Sequence, residues 1–333
     1  MTVHSSTKRA FLCAFLSLAL AACGKDKPAP ANTGTAGNPA SKPLRFAFVT
    51  NGIADFWRIA SAGVHAYEKE AKIQVDIKMP PTGAVAEQNQ YLEDLISQGY
   101  DGVAVSVIAP NDQVAILNRV AAKTKLITFD SDAPKSNRLL YIGTNNYDAG
   151  RTLGAEILKL LPSGGSIGVF VGTLAADNAQ QRFKGIEDIV KPAGIAIVAR
   201  REDGGDRGKA RSNVEDVINA HHDLSLVVGL YSYNGPQISN ALEGSKKGKV
   251  KAAVFDEEEG TLVGIAAGTI DCTAVQKPYQ FGYLSSKWMH ELATNSEQAL
   301  KKIPETKVID TGVEIINKSN VAEFRAKLAE LKK

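Results

Sequence analysis

The chain has 333 residues, a length typical of about two domains, and 44% of them are hydrophobic, so it can bury a substantial core. This composition excludes disorder across the whole chain. The 39 Lys and Arg residues nearly balance the 36 Asp and Glu residues, giving a net charge of +3. Because binding to a phosphate backbone requires a clear basic excess, we expect no nucleic-acid partner.

The N-terminal segment has the pattern of an export signal. Lys8 and Arg9 precede an apolar stretch over residues 10–22, which is shorter than the roughly 20 residues that a membrane-spanning helix needs. We therefore predict a signal peptide over residues 1–22. The stretch ends in Ala21 and Ala22 directly before Cys23, which resembles the lipobox of bacterial lipoproteins.

The lipobox resemblance implies that Cys23 carries a lipid and anchors the mature protein to a membrane. The alternative is an ordinary secretory signal cut after Ala22, and both readings place the mature protein outside the cytoplasm, in the periplasm. Gly24, in place of an aspartate, favours the outer membrane over the inner one.

Removal of the signal changes the composition of the chain. The mature chain keeps 37 basic and 36 acidic residues, because the signal contains Lys8 and Arg9 but no acidic residue. Cys272 is then left without a partner for a disulfide, and we expect it to be a small buried residue. Residues 23–43 are rich in Lys, Pro, Ala, Asn, Thr and Gly, which predicts a flexible tether.

Apolar runs typical of strands alternate with segments of helical periodicity from residue 44 onwards. The predicted strands cover residues 44–50, 74–79, 102–108, 126–129, 140–142, 166–172, 196–201, 226–230, 251–255, 273–276 and 308–316. The predicted helices cover residues 56–70, 85–98, 111–123, 149–161, 179–190, 209–220, 236–243, 258–268 and 279–293, with a helical tail over 318–333. This alternation is the signature of the α/β class, here as two doubly wound parallel sheets in tandem.

Polar side chains follow the predicted strands where they end. Open parallel sheets bind ligands at the carboxyl ends of their strands. The residues there are mostly small hydrogen-bonding side chains and tyrosines: Thr50, Asn51, Ser106, Asp130, Ser131, Asp132, Thr144, Asn145, Asn146, Thr173, Tyr231, Ser232, Tyr233, Asn234, Asp256, Glu257 and Gln276. Carboxylates and amides that bind hydroxyls, with flat rings such as Phe56 and Trp57 for C–H faces, are what a sugar pocket requires.

Four motifs resemble those of a known family. They are ITFDSD at residues 127–132, YIGTNN at 141–146 followed by AGR at 149–151, VFD at 254–256, and Gln276 after the last strand of the second series. Over residues 44–317 the chain resembles the periplasmic sugar-binding proteins of ABC transporters, the type I group with the ribose- and galactose-binding proteins. The resemblance implies a monomeric, non-enzymatic protein without metal or cofactor that delivers a sugar or polyol to a permease.

The resemblance also implies which residues bind the ligand. Asp130 matches an aspartate of the first lobe, Arg182 and Asp256 match an arginine and an aspartate of the second, and Gln276 matches a glutamine near the hinge. Phe56 and Trp57 match the aromatic pair that covers the sugar. The alternatives are a helix N-cap for Asp130, a surface ion pair for Arg182 and plain core packing for Phe56 or Trp57.

Four further strand-end residues complete the candidate site: Ser131, Asn146, Ser232 and Tyr233. Ser131 stands where the ribose-binding protein has an arginine, and the tyrosine-rich loop stands where an asparagine-aspartate pair is common. These differences favour a hexose, a sugar alcohol or another polyol over ribose.

In the family the chain crosses three times between two lobes joined by a hinge. We therefore expect one lobe from residues 44–144 and 276–305, and the other from 145–275 and 306–317, with crossings near 144–145, 275–276 and 304–305. Two alternatives to transport remain: a protein that presents its ligand to a chemoreceptor or histidine kinase, and an exported enzyme acting on carbohydrate.

Overall fold

The computed structural model describes residues 42–243 and 248–331. The predicted signal peptide, the lipidation site Cys23 and nearly all of the predicted tether lie outside the described residues. The described residues from 43 onwards form a single compact unit. Within the described ranges, no helix is both long and apolar enough to span a bilayer.

The first of two six-stranded sheets is built mainly from the first half of the chain. Its strands, in chain order, are β1 (Phe46–Val49), β2 (Val75–Lys78), β3 (Gly102–Val105), β4 (Lys125–Phe129), β5 (Tyr141–Gly143) and β11 (Val308–Asp310). They lie side by side in the order β11-β5-β4-β3-β1-β2, and every pairing is parallel.

The second sheet repeats this arrangement. Its strands are β6 (Gly165–Val171), β7 (Ile195–Glu202), β8 (Leu226–Gly229), β9 (Lys251–Phe255), β10 (Cys272–Val275) and β12 (Glu314–Asn317). They lie in the order β12-β10-β9-β8-β6-β7, and β12 alone runs antiparallel to its neighbour. The two sheets thus have the same strand order, which confirms the predicted α/β class with two doubly wound sheets.

Helices cover the faces of both sheets. They are α1 (Asp55–Ala71), α2 (Val85–Ser97), α3 (Val114–Lys123), α4 (Asn146–Leu160), α5 (Asp177–Val190), α6 (Arg207–Ala220), α7 (Asn234–Ala241), α8 (Glu259–Ala267), α9 (Pro278–Thr294), α10 (Ser296–Lys302) and α11 (Val321–Leu331). Alternate strand residues pack into different cores: Phe46 and Phe48 face one, Ala47 and Val49 the other. Burial on both faces explains the continuous apolar runs of these strands.

The third crossing between the sheets differs from the prediction. Residues 308–316 do not form one strand: β11 joins β5 in the first sheet, and β12 joins β10 in the second. Between them Gly312 has a φ of 65°, a conformation that favours glycine, and its N–H donates to Asp310 Oδ1 at 2.9 Å. The chain therefore passes to the second sheet after Asp310, and the expected crossing near 304–305 is wrong.

Glycines allow two pairs of helices to pack unusually closely. In the α4–α5 pair, a Cβ at Gly150 would overlap the Arg182 carbonyl, and one at Gly185 would overlap the Tyr147 carbonyl. The α1–α9 pair has the same arrangement, with Gly63 and Gly282 facing partner carbonyls. The α4–α5 contact holds the backbone of Arg182, one of the predicted ligand-binding residues.

Candidate functional site

Two aspartates lie at equivalent strand ends and share an uncommon backbone conformation. Asp130 follows β4 with a φ of 57°, and Asp256 follows β9 with a φ of 68°. The Asp130 carbonyl accepts from the Tyr141 hydroxyl at 2.8 Å, and the Asp256 carbonyl accepts from the Thr273 hydroxyl at 2.7 Å. Such left-handed non-glycine residues cost about 1–3 kcal/mol each and cluster at functional sites.

The carboxyl of Asp130 is enclosed by protein, although part of the residue remains exposed. It accepts a hydrogen bond from the Ser106 hydroxyl at 2.8 Å. Burial raises the pKa of Asp130 from 3.8 to about 6, against the lowering effects of Ser106 and of the Arg182 guanidinium, while the Asp256 carboxylate raises it. These influences place Asp130, Arg182 and Asp256 in one electrostatic cluster. Because no helix starts in the described residues between β4 and β5, the N-cap alternative for Asp130 is wrong.

Arg182 lies on α5 and is 3% exposed, so the surface ion-pair alternative is wrong. Its Nε donates to Asn146 Oδ1 at 2.8 Å and its Nη1 donates to the Leu230 carbonyl at 2.7 Å. Its Nη1 also lies 3.9 Å from Asp256 Oδ2, and the guanidinium carbon lies 4.4 Å from the centroid of the Phe255 ring. The side chain is thus held from four sides and presents a fixed positive charge to both aspartates.

Asp256 and Gln276 are joined directly. The Gln276 amide Nε2 donates to Asp256 Oδ1 at 3.0 Å, and both residues are buried. Burial raises the pKa of Asp256, while Arg182 and the hydrogen bonds from Gln276 lower it and Glu258 raises it. Gln276 comes directly after β10, where the chain leaves the second sheet.

Asn146 and Ser131 have different positions relative to this cluster. Asn146 belongs to the first turn of α4, three residues before the predicted helix start, and orients Arg182 through its amide oxygen. Ser131 follows Asp130, and its backbone carbonyl accepts from the Val107 N–H at 3.1 Å.

The two aromatic residues of α1 have unequal surroundings. Trp57 is 4% exposed and lies in the core of the first sheet, with its ring 5.8 Å from that of Phe129. Phe56 is half-buried, contacts Trp57 edge to face at 4.9 Å and lines a cavity. Core packing, the alternative for this pair, therefore describes Trp57 better than Phe56.

Ser232 and Tyr233 contact residues that the sequence patterns did not single out. Ser232 Oγ donates to Glu258 Oε1 at 3.1 Å, and the Tyr233 hydroxyl donates to the buried Asp203. Arg207 forms a two-pronged ion pair with Glu258 at 2.9 and 3.0 Å. Asp203 and Arg207 follow β7, so the strand-end rule would have found them had their loop not been dominated by glycine.

A cavity of ≈ 520 Å³ lies between connections of the two sheets. Asp256 lines it and belongs to the buried cluster as well, so the cavity leads to that cluster. Its lining residues are Ile53, Ala54, Phe56 and Ile59 after β1, and Arg207, Ser232, Pro236, Asp256, Glu257, Glu258, Glu259 and Gly260 after β7, β8 and β9.

The candidate residues therefore divide into three groups. Asp130, Asn146, Arg182, Asp256 and Gln276 form the buried cluster. Phe56 and Ser232 line the cavity, as Asp256 does. Trp57 packs in the core, the Tyr233 ring lies 5.7 Å from the guanidinium carbon of the cavity-lining Arg207, and the described contacts of Ser131 are made by its backbone.

The cluster suits the recognition of neutral hydroxyl groups. Carboxylates accept from hydroxyls, and the guanidinium and the amides donate to them. Among the described residues, no group of three His, Cys, Asp or Glu side chains is arranged to hold a metal ion. Cys272 is buried as predicted, and burial raises the pKa of its thiol to about 12.

Comparison with known proteins extends this description. At 29% identity over 255 residues, the chain is similar to the xylose/arabinose-binding protein XylF of Sulfolobus acidocaldarius, a match that covers 70% of this chain and 60% of that relative. It is 25% identical over 247 residues to the D-ribose/D-allose-binding protein of Pseudomonas aeruginosa, covering 70% of this chain and 76% of the relative.

Solved structures give longer matches. An ABC transporter solute-binding protein from Burkholderia graminis, in complex with D-arabinose, is 30% identical with a TM-score of 0.76, and the match covers 84% of this chain and 96% of that one. The arabinose-binding protein AraP of Geobacillus stearothermophilus is 27% identical with a TM-score of 0.76, covering 85% and 99%. Since the model of the periplasmic binding protein domain also matches residues 46–297, the chain belongs to the periplasmic binding protein family.

Proposed function

We propose that the protein binds a sugar in the space between its two sheets and delivers it to the permease of an ABC transporter. The observation that carries this proposal is the buried cluster of two strand-end aspartates around one arginine. The Nη1 of Arg182 lies 3.9 Å from Asp256 Oδ2, and its charge also lowers the pKa of Asp130.

The chemistry of the cluster favours a neutral polyhydroxylated ligand. The two carboxylates carry more negative charge than the single guanidinium neutralises. A further anion, such as a sugar acid or a phosphate, would therefore add charge repulsion at a buried site. A neutral sugar can donate hydroxyl protons to the carboxylates and accept from Arg182. Relatives named for xylose, arabinose, ribose and allose support an aldose as the ligand.

Binding between the sheets would couple the ligand to a change of shape. A sugar that contacts both Asp130 and Asp256 makes all its hydrogen bonds only when the two lobes are close together, so it favours the closed form. The hinge of this proposal consists of the three crossings after Gly143, after Val275 and after Asp310. The closed form of a monomer is what a permease would recognise.

We further propose that the protein acts outside the cytoplasm, held at a membrane by a lipid on Cys23. The basis is the sequence of residues 8–23, in which a short apolar stretch ends in two alanines and a cysteine.

The proposal is tested by a thermal-shift screen of pentoses, hexoses and polyols, followed by calorimetry with each sugar that stabilises the protein. We expect Asp130→Asn and Asp256→Asn each to weaken binding about 10- to 150-fold, since hydrogen bonds to charged groups contribute about 1.5–3 kcal/mol. Asp188→Asn, which changes a half-buried aspartate on the same helix as Arg182, is the matched control and should bind normally. Unchanged affinity in both cluster variants would refute the site.

A further inference from the structure

The cavity beside Asp256 points to a ligand of two units. We propose that the site binds a disaccharide, with one ring at the buried cluster and the second ring in the cavity between Phe56 and the Arg207–Glu258 pair. This inference rests on the proposed function, because it takes the buried cluster as the place of the inner ring.

The size of the cavity is the first reason. Its ≈ 520 Å³ lie within the range of about 300–1,000 Å³ found for pockets that bind drug-sized ligands. The residues of the buried cluster other than Asp256 do not line the cavity. A single ring held by Asp130, Arg182 and Gln276 would therefore leave most of it unfilled.

The polar wall of the cavity is the second reason, because its groups are held in place before a ligand arrives. Both oxygens of Glu258 accept from Arg207, and one accepts from Ser232 as well. The ion pair uses two of the five guanidinium N–H donors, and the others are available to accepting hydroxyls. Tyr233 lies under the guanidinium, with its ring centroid 5.7 Å from the Arg207 carbon, and its hydroxyl is tied to Asp203. Fixed donors and acceptors lose little entropy on binding.

The opposite wall is the third reason. Ile53, Ala54, Phe56 and Ile59 present apolar groups across the cavity from the polar wall. Ile53 is 68% exposed, so its apolar side chain is open to a ligand in the cavity. One apolar wall and one hydrogen-bonding wall match the two aspects of a pyranose ring, its C–H face and its hydroxyl edge.

The test compares paired ligands by calorimetry. The monosaccharides are xylose, arabinose, glucose and galactose, and the disaccharides are xylobiose, arabinobiose, cellobiose, maltose, lactose and melibiose. Wild-type protein is expected to bind at least one disaccharide more tightly than the monosaccharide of its inner ring. Arg207→Met and Arg207→Ala are expected to weaken binding of that disaccharide about tenfold and binding of the monosaccharide less than twofold.

The control variant is Arg211→Met, which removes an exposed arginine and its ion pair with Glu215 from the same helix without touching the cavity. It should leave both affinities unchanged. Binding of monosaccharides without any disaccharide, or equal losses for both in the cavity variants, would overturn this inference while leaving the proposed function intact. Absence of binding to every sugar of both sets would overturn the proposed function, and this inference with it.

Discussion

At the scale of single residues, the site depends on charges that are costly to bury. Asp130 and Asp256 both have raised pKa values because of burial, and Arg182 is the cation that partly compensates them. Hydrogen bonds hold these charged groups in place: Asn146 accepts from Arg182, and Gln276 donates to Asp256. The cost is recovered when a ligand supplies the missing hydrogen-bond donors.

The pKa of Asp130 predicts how sugar binding depends on pH. Hydroxyl groups that donate to the carboxylate stabilise its charged form, so the complex should have a lower Asp130 pKa than the value of about 6 in the free protein. Binding then releases a proton around pH 5–6, and affinity falls as the pH drops below about 6. Calorimetry in buffers of different ionisation enthalpy measures this release. A wild-type affinity that rises on acidification would contradict the prediction, and Asp130→Asn should have a flatter profile.

Arg182→Met should destabilise the protein in a pH-dependent manner. The variant leaves two buried carboxylates without their cation, and breaking a buried pair costs about 3–5 kcal/mol. Since Arg182 lowers the pKa of both aspartates, its loss raises those pKa values, so the loss of stability should be larger at pH 7 than at pH 5, where protonation relieves it. Urea unfolding at both pH values measures this, with Arg151→Met on the surface of α4 as control. An equal loss at both pH values would argue against the electrostatic account.

The sequence located the residues of the buried polar cluster better than those of the cavity walls. Asp130, Asp256 and Gln276 follow apolar runs directly, and the strand-end rule locates such residues without tertiary information. Trp57 and Phe56 are neighbours in α1, and the sequence does not tell them apart. The packing of Trp57 against Phe129 shows that Trp57 faces the core. The link between Ser232 and Glu258 joins residues 26 apart, and no local pattern contains it.

At the scale of elements, close helix contacts set the position of the site. The α4–α5 contact at Gly150 and Gly185 brings Asn146 and Arg182 within hydrogen-bonding distance. The strands were predicted to within a few residues, apart from the run over 308–316. That run was predicted as one strand, although it contains two short strands on either side of Gly312 that pair in different sheets. The helix α10 was missed because its seven residues contain too little apolar periodicity.

Gly185→Ala should destabilise the protein and weaken sugar binding together. The added methyl would overlap the Tyr147 carbonyl, and overpacking of this kind costs about 1–3 kcal/mol. The helices must then separate, which moves Arg182 away from Asn146. Thermal unfolding and calorimetry measure the two effects. In the control Gly52→Ala, the added Cβ would lie 3.9 Å from the Gly83 Cα, an ordinary contact, so its stability should match wild type. A fully stable Gly185→Ala variant would contradict the packing account.

At the scale of the whole molecule, two sheets with the same strand order place Asp130 and Asp256 at equivalent positions, each after the fourth strand of its sheet in chain order. The ligand site of our proposal therefore consists of two matching halves, one from each sheet. The half from the second sheet also contains Arg182. The repeated alternation of strands and helices was visible in the sequence. The equivalence of the two sheets became visible only from the strand pairings in the structure.

The proposed membrane attachment is also tested at the scale of the whole molecule. We expect Cys23→Ser to move the protein from the membrane fraction to the soluble fraction of cells that express the full chain, because the lipid attachment site is lost. Cys13→Ser, a change of the same kind within the predicted signal peptide, should leave the protein at the membrane. Fractionation with immunodetection distinguishes the two, and a Cys23→Ser protein that stays at the membrane would count against lipidation.

The central claim, that a sugar binds between the two sheets, is tested most directly by a crystal structure of the protein with the best ligand from the screen. The account predicts sugar density that contacts the carboxylates of both Asp130 and Asp256 and the guanidinium of Arg182. Sugar density elsewhere on the molecule would contradict it. So would a closed protein in which the sugar contacts only one of the two aspartates.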